Sequence, residues 1–171
     1  DLLGLGHEAL RAGRWSKLSM VFQGAMNALN PVTTIRAQLD DALVEHRKGL
    51  PRKERRAIAE DALRRVGVDP SRITAYPHEL SGGMRQRVMI AMAMLLEPQI
   101  MIMDEPTTAL DVVVQREILR EIVRLRDELG FAVVFITHDL PLLLEISDRI
   151  AIMLRGEVVE CDRASVIQHD P

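Results

Sequence analysis

Three short apolar runs, Leu18 to Phe22, Gln99 to Met103 and Phe131 to Ile136, each stop abruptly at polar residues: Gln23, Asp104-Glu105 and Thr137-His138. Stretches with helical periodicity separate them. Short β-favouring runs alternating with helices imply an α/β fold, a mainly parallel sheet with helices on its faces. In such open sheets, ligands sit beyond the carboxyl ends of the strands, which is where these polar residues fall.

The helical stretches have distinct patterns. From Thr33, Ile35, Leu39 and Leu43 recur every fourth residue, and Ile58, Ala62 and Val66 repeat the pattern after the break at Gly49-Leu50-Pro51. These spacings predict two amphipathic helices closed by Gly67 and Pro70. The charged run Arg52-Lys53-Glu54-Arg55-Arg56 is expected to be a solvated helix face. Val88 to Leu96 is apolar nearly all round and predicts a buried helix ending before Pro98. Ile118, Ile122, Leu125 and Leu129 share one face of a helix from Val112 to Leu129, stopped by Gly130. Leu140 to Ile146 is expected to be helical, and Ile150 to Leu154 and Glu157 to Glu160 to be strands joined at Arg155-Gly156.

Composition excludes several classes. The net charge of -3 and pI near 6.0 supply no overall field for a nucleic acid backbone, so no nucleic acid partner is expected. The single cysteine, Cys161, rules out an intrachain disulfide and is expected as a small buried residue. Every apolar run is too short to span a bilayer, and Asp1-Leu2-Leu3-Gly4 lacks the basic start of a signal peptide. Nine methionines, six of them between Met84 and Met103, fit core filling better than a soft-metal site.

The strand-end residues suit nucleotide hydrolysis. A carboxylate at the end of a strand, Asp104, can hold Mg²⁺ directly or through water. A second carboxylate one residue on, Glu105, can orient and polarise an attacking water. His138 and Gln23, from neighbouring strand ends, can touch the terminal phosphate and the metal or water. Singly, each residue has a structural reading: Asp-Glu as a helix start, His138 and Gln23 as loop and turn residues. Between them in the chain lies Leu80-Ser81-Gly82-Gly83-Met84-Arg85-Gln86-Arg87-Val88, whose glycines open a helix and whose amides favour an anion.

This segment, with Ile100 to Thr107, Ala109-Leu110-Asp111 and Phe135 to Asp139, closely resembles the nucleotide-binding subunits of ABC transporters. The resemblance covers nearly the whole chain. It implies a P-loop NTPase-type core carrying an inserted α-helical lobe, incomplete at the N-terminus, with ATP and Mg²⁺ as cofactors. Gln23 is then similar to the Q-loop glutamine and a metal contact, Asp104 to the Walker B aspartate and metal ligand, and Glu105 to the catalytic glutamate. Ser81, Gly82 and Gly83 belong to the signature, Asp111 with Ala109 and Leu110 to the D-loop, and His138 is similar to the switch histidine. The implied division is 1–32 for part of the core with the Q-loop, 33–97 for the helical lobe ending in the signature helix, and 98–171 for the rest of the core.

Phe22 to Val32 and Ala75-Tyr76-Pro77-His78-Glu79-Leu80 resemble the oligopeptide, dipeptide and nickel importer branch, although Gly24-Ala25 stands where that branch usually has Asp-Pro. The partners implied are a second ATPase subunit, whose ATP the signature would bind, and membrane permease subunits met by the helical lobe and Q-loop. Cysteines placed at Ala28 or Ile35 are expected to crosslink to a permease loop. The implied location is cytoplasmic, peripheral on the inner face of the cell membrane. Alternatives are an ABC-type ATPase of DNA repair or chromosome maintenance, and a non-catalytic interaction module.

No G-x-x-x-x-G-K-[ST] loop occurs in the 171 residues, and the three lysines, Lys17, Lys48 and Lys53, lie in no such context. That loop supplies the amide cradle and lysine for the phosphates. The chain is therefore expected to be truncated ahead of the Q-loop and beyond Pro171, to be inactive alone, and to show either compensating self-association or partial disorder near Asp1 to Lys17.

Overall fold

The computed structural model describes residues 4, 6–8, 13–108 and 110–169. Ala109 of the expected D-loop, and part of the Asp1 to Lys17 segment, lie outside the described residues. The chain forms two units, Asp1–Val134 and Phe135–Pro171.

The sheet of the first unit follows the order β1-β2-β3, with β1 at Leu18–Val21, β2 at Ile100–Asp104 and β3 at Ala132–Ile136, which runs across the boundary between the units. β1 and β2 pair in parallel, from Leu18 opposite Ile100 to Val21 opposite Met103. The Ala132 N–H donates to the Gln99 carbonyl at 2.9 Å, just before β2 begins. Val21, Met101 and Met103 are buried, as expected of methionines filling a core.

The helices of this unit form where the apolar spacing predicts them, and the one from Gly82 to Met94 packs on β1. In α1 (Ile35–His46), Ile35, Leu39 and Leu43 are fully buried, and the Thr34 hydroxyl accepts from the Ala37 N–H at the helix start. Ile35 thus belongs to the core, so it is a poor position for a crosslink to any partner; Ala28 is exposed. In α2 (Arg52–Arg65), Ala59, Ala62 and Leu63 are buried. Arg52, Lys53, Glu54 and Arg56 are exposed, whereas Arg55 turns back to Asp40 at 2.6 Å and to the Leu50 carbonyl at 2.7 Å. α3 (Gly82–Met94) starts six residues earlier than its apolar stretch, since both glycines lie in its first turn. α4 (Val112–Leu129) buries Ile118, Leu119, Ile122 and Leu125 and ends at Gly130, whose φ of 71° is the left-handed conformation of a helix stop.

The second unit holds α5 (Leu140–Ile146), the antiparallel pair β4 (Arg149–Leu154) and β5 (Glu157–Arg163), and α6 (Ala164–His169). Arg155 and Gly156, at φ 51° and 87°, make the tight hairpin turn. Its core is Ile150, Ala164 and Ile167, with Leu143, Leu144 and Ile152 packed against it. Cys161 is exposed, which corrects the expectation of a buried residue. Ile150 and Ile152 take the core-facing positions of β4, so the alternate pair Ala151–Cys161 points the other way. β5 is three residues longer than expected, and α6 has too few periodic residues to be read from sequence.

Candidate functional site

The parallel register of β1 and β2 brings two predicted groups to one edge. One residue beyond the last pair, Val21 and Met103, stand Phe22 and Asp104; two beyond stand Gln23 and Glu105. Asp104 is half-buried, while Gln23 is exposed. Gly24, at φ 69°, then turns the chain into the loop that leads to α1. Gln38 of α1 secures that loop: its Oε1 accepts from the Asn30 N–H at 2.9 Å and its Nε2 donates to the carbonyls of Asn30 and Thr33.

Glu105 has φ 46°, in the left-handed region that residues with a side chain adopt uncommonly and mostly in turns. Its Oε2 accepts from the Thr108 hydroxyl at 3.0 Å, and the Thr108 N–H closes a turn on the Glu105 carbonyl at 3.3 Å. The strand therefore ends in a turn that holds the Glu105 carboxylate against Thr108. Thr108 was not singled out from sequence; a hydroxyl three residues after the acid, across a Pro106 turn, is the signal that marks it.

Ser81, Gly82 and Gly83 form the amino end of α3. The Ser81 hydroxyl accepts from the Met84 N–H at 3.2 Å, which leaves its own proton to donate to an anion. Gly83 packs closely: a Cβ there would lie 2.8 Å from Val114 Cγ1, inside contact distance, so Val114 would have to shift to admit it. Two helix starts thus meet closely, because Val114 is in the first turn of α4. The Asp111 carboxylate caps that turn, accepting from the Val113 and Val114 N–H groups at 3.1 and 3.0 Å. Asp111 accordingly has a structural role as the cap of α4.

In the second unit His138 is exposed and lies between Thr137, whose hydroxyl accepts from the Asp139 N–H at 3.2 Å, and Asp139, which caps α5. The donor set suits Mg²⁺ and a polyphosphate: a half-buried carboxylate and an amide oxygen are hard ligands, and a hydroxyl with helix-terminal amides suits an anion. Among the described residues no helix is long and apolar enough to cross a membrane.

Residues 8–108 match the family model described as ABC transporter. The chain is 42% identical over 173 residues to a dipeptide transport ATP-binding protein of Bacillus subtilis, covering 100% of this chain and 51% of that protein. It is 44% identical to a peptidoglycan transport ATP-binding protein of Agrobacterium fabrum, again over 100% of this chain but 32% of the relative. Among solved structures, an ATP-binding cassette in a dimeric post-hydrolysis state bound to ADP and Pi is similar, with TM-score 0.80 and 31% identity over 94% of this chain and 68% of that one. The chain spans about half the length of several curated relatives, including the one from Bacillus subtilis. With more than half of its residues inside the family model, and with its core strands and helices in the arrangement of an ATP-binding cassette, the chain belongs to the ABC transporter family.

Proposed function

We propose that this chain is part of the ATP-hydrolysing, energy-coupling subunit of an importer for peptides or a related small solute. The observation that carries this reading is the end of β2, where Asp104 completes the strand and Glu105 follows in a left-handed conformation with its carboxylate tied to Thr108. The peptide and dipeptide transport names of its relatives support the importer branch over a DNA-repair ATPase.

Bound Mg²⁺ would neutralise the phosphate charge, and Asp104 with Gln23 would hold it. Glu105 orients the attacking water and accepts its proton, and Thr108 fixes the carboxylate that does so. Ser81 donates its hydroxyl proton, and Gly82 and Gly83 their amides, to the terminal phosphate of a nucleotide held mainly by a second ATPase subunit. His138 contacts the terminal phosphate, and Asp111 borders the subunit interface while it caps α4. Residues 33–97 act as the lobe that meets the permease, with the Gln23 to Val32 loop beside it, on the inner face of the membrane. Ala28, exposed in that loop, is the position from which a crosslink would reach a permease subunit.

In a full-length protein, Glu105→Gln is expected to slow steady-state ATP hydrolysis by about 10²–10⁴-fold while ATP binding is kept, because the amide holds water but is a poor proton acceptor. Phosphate release at close to the wild-type rate would remove Glu105 from this role.

A further inference from the structure

At the carboxyl end of α2 the four carbonyls from Leu63 to the capping Val66 all accept hydrogen bonds, and two of these bonds come from other helices. An α-helix leaves its final four carbonyls without intrahelical partners. Here Gly67, at φ 70°, and Val68 return two of the four bonds through their N–H groups, to the Arg64 carbonyl at 3.0 Å and the Leu63 carbonyl at 2.9 Å. The Arg65 carbonyl accepts from Arg124 Nη2 of α4 at 2.9 Å, and the Val66 carbonyl accepts from Arg87 Nη1 of α3 at 2.9 Å. Two guanidinium cations thus close the negative end of the α2 dipole.

The two arginines are not equivalent. Arg124 is anchored within its own helix by Glu121 at 2.6 Å and Glu128 at 2.7 Å. Arg87 instead reaches both neighbours, with Nη1 on Val66 and Nη2 3.5 Å from Glu117 of α4, and its side chain is only 18% exposed. The space around it is tight as well: a Cβ at Gly67 would lie 3.2 Å from Arg87 Nη1. Arg87 stands little more than one turn beyond Ser81, Gly82 and Gly83, and those residues have a second close approach to α4 through Val114. The amino end of α3 is therefore located by Gly83 at its start and by Arg87 one turn on.

We propose that Arg87 is a positioning residue for the Ser81–Gly83 turn, setting its distance from α2 and α4 so that its hydroxyl and amides are aligned for the phosphate of the opposite subunit. This rests on the proposed role of that turn. A planar guanidinium can serve Val66 and Glu117 together, whereas a lysine serves one of them at a time.

The test compares ATP-driven dimerisation of full-length protein, by sedimentation, with ATP binding by the monomer and with circular dichroism at the assay temperature. Arg87→Ala is expected to raise the ATP concentration for half-maximal dimerisation by about tenfold, within the usual range of coupling between sites, and to leave monomer affinity unchanged. Arg87→Lys should fall between it and the wild type, and it carries the comparison if the alanine variant does not fold. Arg124→Ala, which frees the neighbouring carbonyl without touching α3, should lower thermal stability and leave dimerisation as it was. Unchanged dimerisation in a folded Arg87 variant, or an equal shift in Arg124→Ala, overturns the proposal. Ser81→Arg serves as the separate control: dimerisation that survives it would defeat the phosphate-binding role of the turn rather than the role of Arg87.

Discussion

The amino end of α3 and the carboxyl ends of β1 and β2 carry the two halves of the proposed chemistry, and they are held in opposite ways. The first is fixed by packing: Gly83 abuts Val114, Ser81 caps its own helix, and Arg87 ties the next turn to two neighbours. The second is held by a local turn and is more exposed. Glu105 is bent into a left-handed conformation, Gln23 is exposed, and Phe22 beside it is 62% exposed. A surface that must meet another subunit gains from being rigid before it arrives. A strand end that senses bound phosphate needs freedom to move, and local strain is a common property of such positions.

Substitutions at the two ends should therefore differ in kind. The largest loss of stability is expected for Gly83→Ala, because the added methyl overlaps Val114; about 1–3 kcal/mol is typical of overpacking. Val114→Ala in the same chain should recover most of it in thermal unfolding, and failure to recover would show that the close approach is not the reason for the glycine. Next is Ser81→Ala, which loses the cap and should cost about 1 kcal/mol. Ser81→Asp keeps the cap and so the stability, yet it places a carboxylate where a phosphate is proposed and should abolish ATP-driven dimerisation. Equal behaviour of the two Ser81 variants in both assays would mean that cap and phosphate contact are not separate functions of this side chain.

At the strand end the signs reverse. Glu105→Gly relieves a left-handed residue and is expected to stabilise the fold by about 1 kcal/mol while removing activity, since strain of this size is tolerated only where it is imposed. A destabilised glycine variant would mean that the contacts of the Glu105 side chain, the Thr108 hydrogen bond among them, and the entropic cost of glycine outweigh the strain. The smallest effect is expected at Phe22→Ser, below about 0.5 kcal/mol in chemical denaturation, because most of that ring is already in water. A larger loss would place Phe22 in the core.

Much of this was legible in the sequence because the signals are local. Ile35, Leu39 and Leu43 repeat at the helical period and are the buried residues of α1; Gly130 follows the last apolar residue of α4 and stops it. The polar residues after β1, β2 and β3 were legible as strand ends, since an apolar run changes character where the sheet stops. What was not legible depends on contacts between distant elements. Nothing in a glycine at position 83 tells that a valine 31 residues later needs the space, and no local pattern pairs Arg87 with the carbonyl of Val66. The exposure of Cys161 is not legible for a related reason: alternation along β5 assigns it to a face, but which face meets the core is decided by the residues across the hairpin. The helical spacing makes Ile35 a core residue while its place beside the loop suggests a partner contact, and its burial selects the first.

The central claim is that residues 81–83 complete a nucleotide site belonging to a second subunit, while Glu105 acts on hydrolysis. Sedimentation of full-length Glu105→Gln and of Glu105→Gln with Ser81→Arg, each with and without ATP, tests both halves together. An ATP-dependent dimer is expected for the single variant. A monomer that still binds ATP is expected for the double variant, because bulk and charge then stand in the shared site. A dimer that forms equally well in both, or a double variant that has lost ATP binding as a monomer, would contradict the claim.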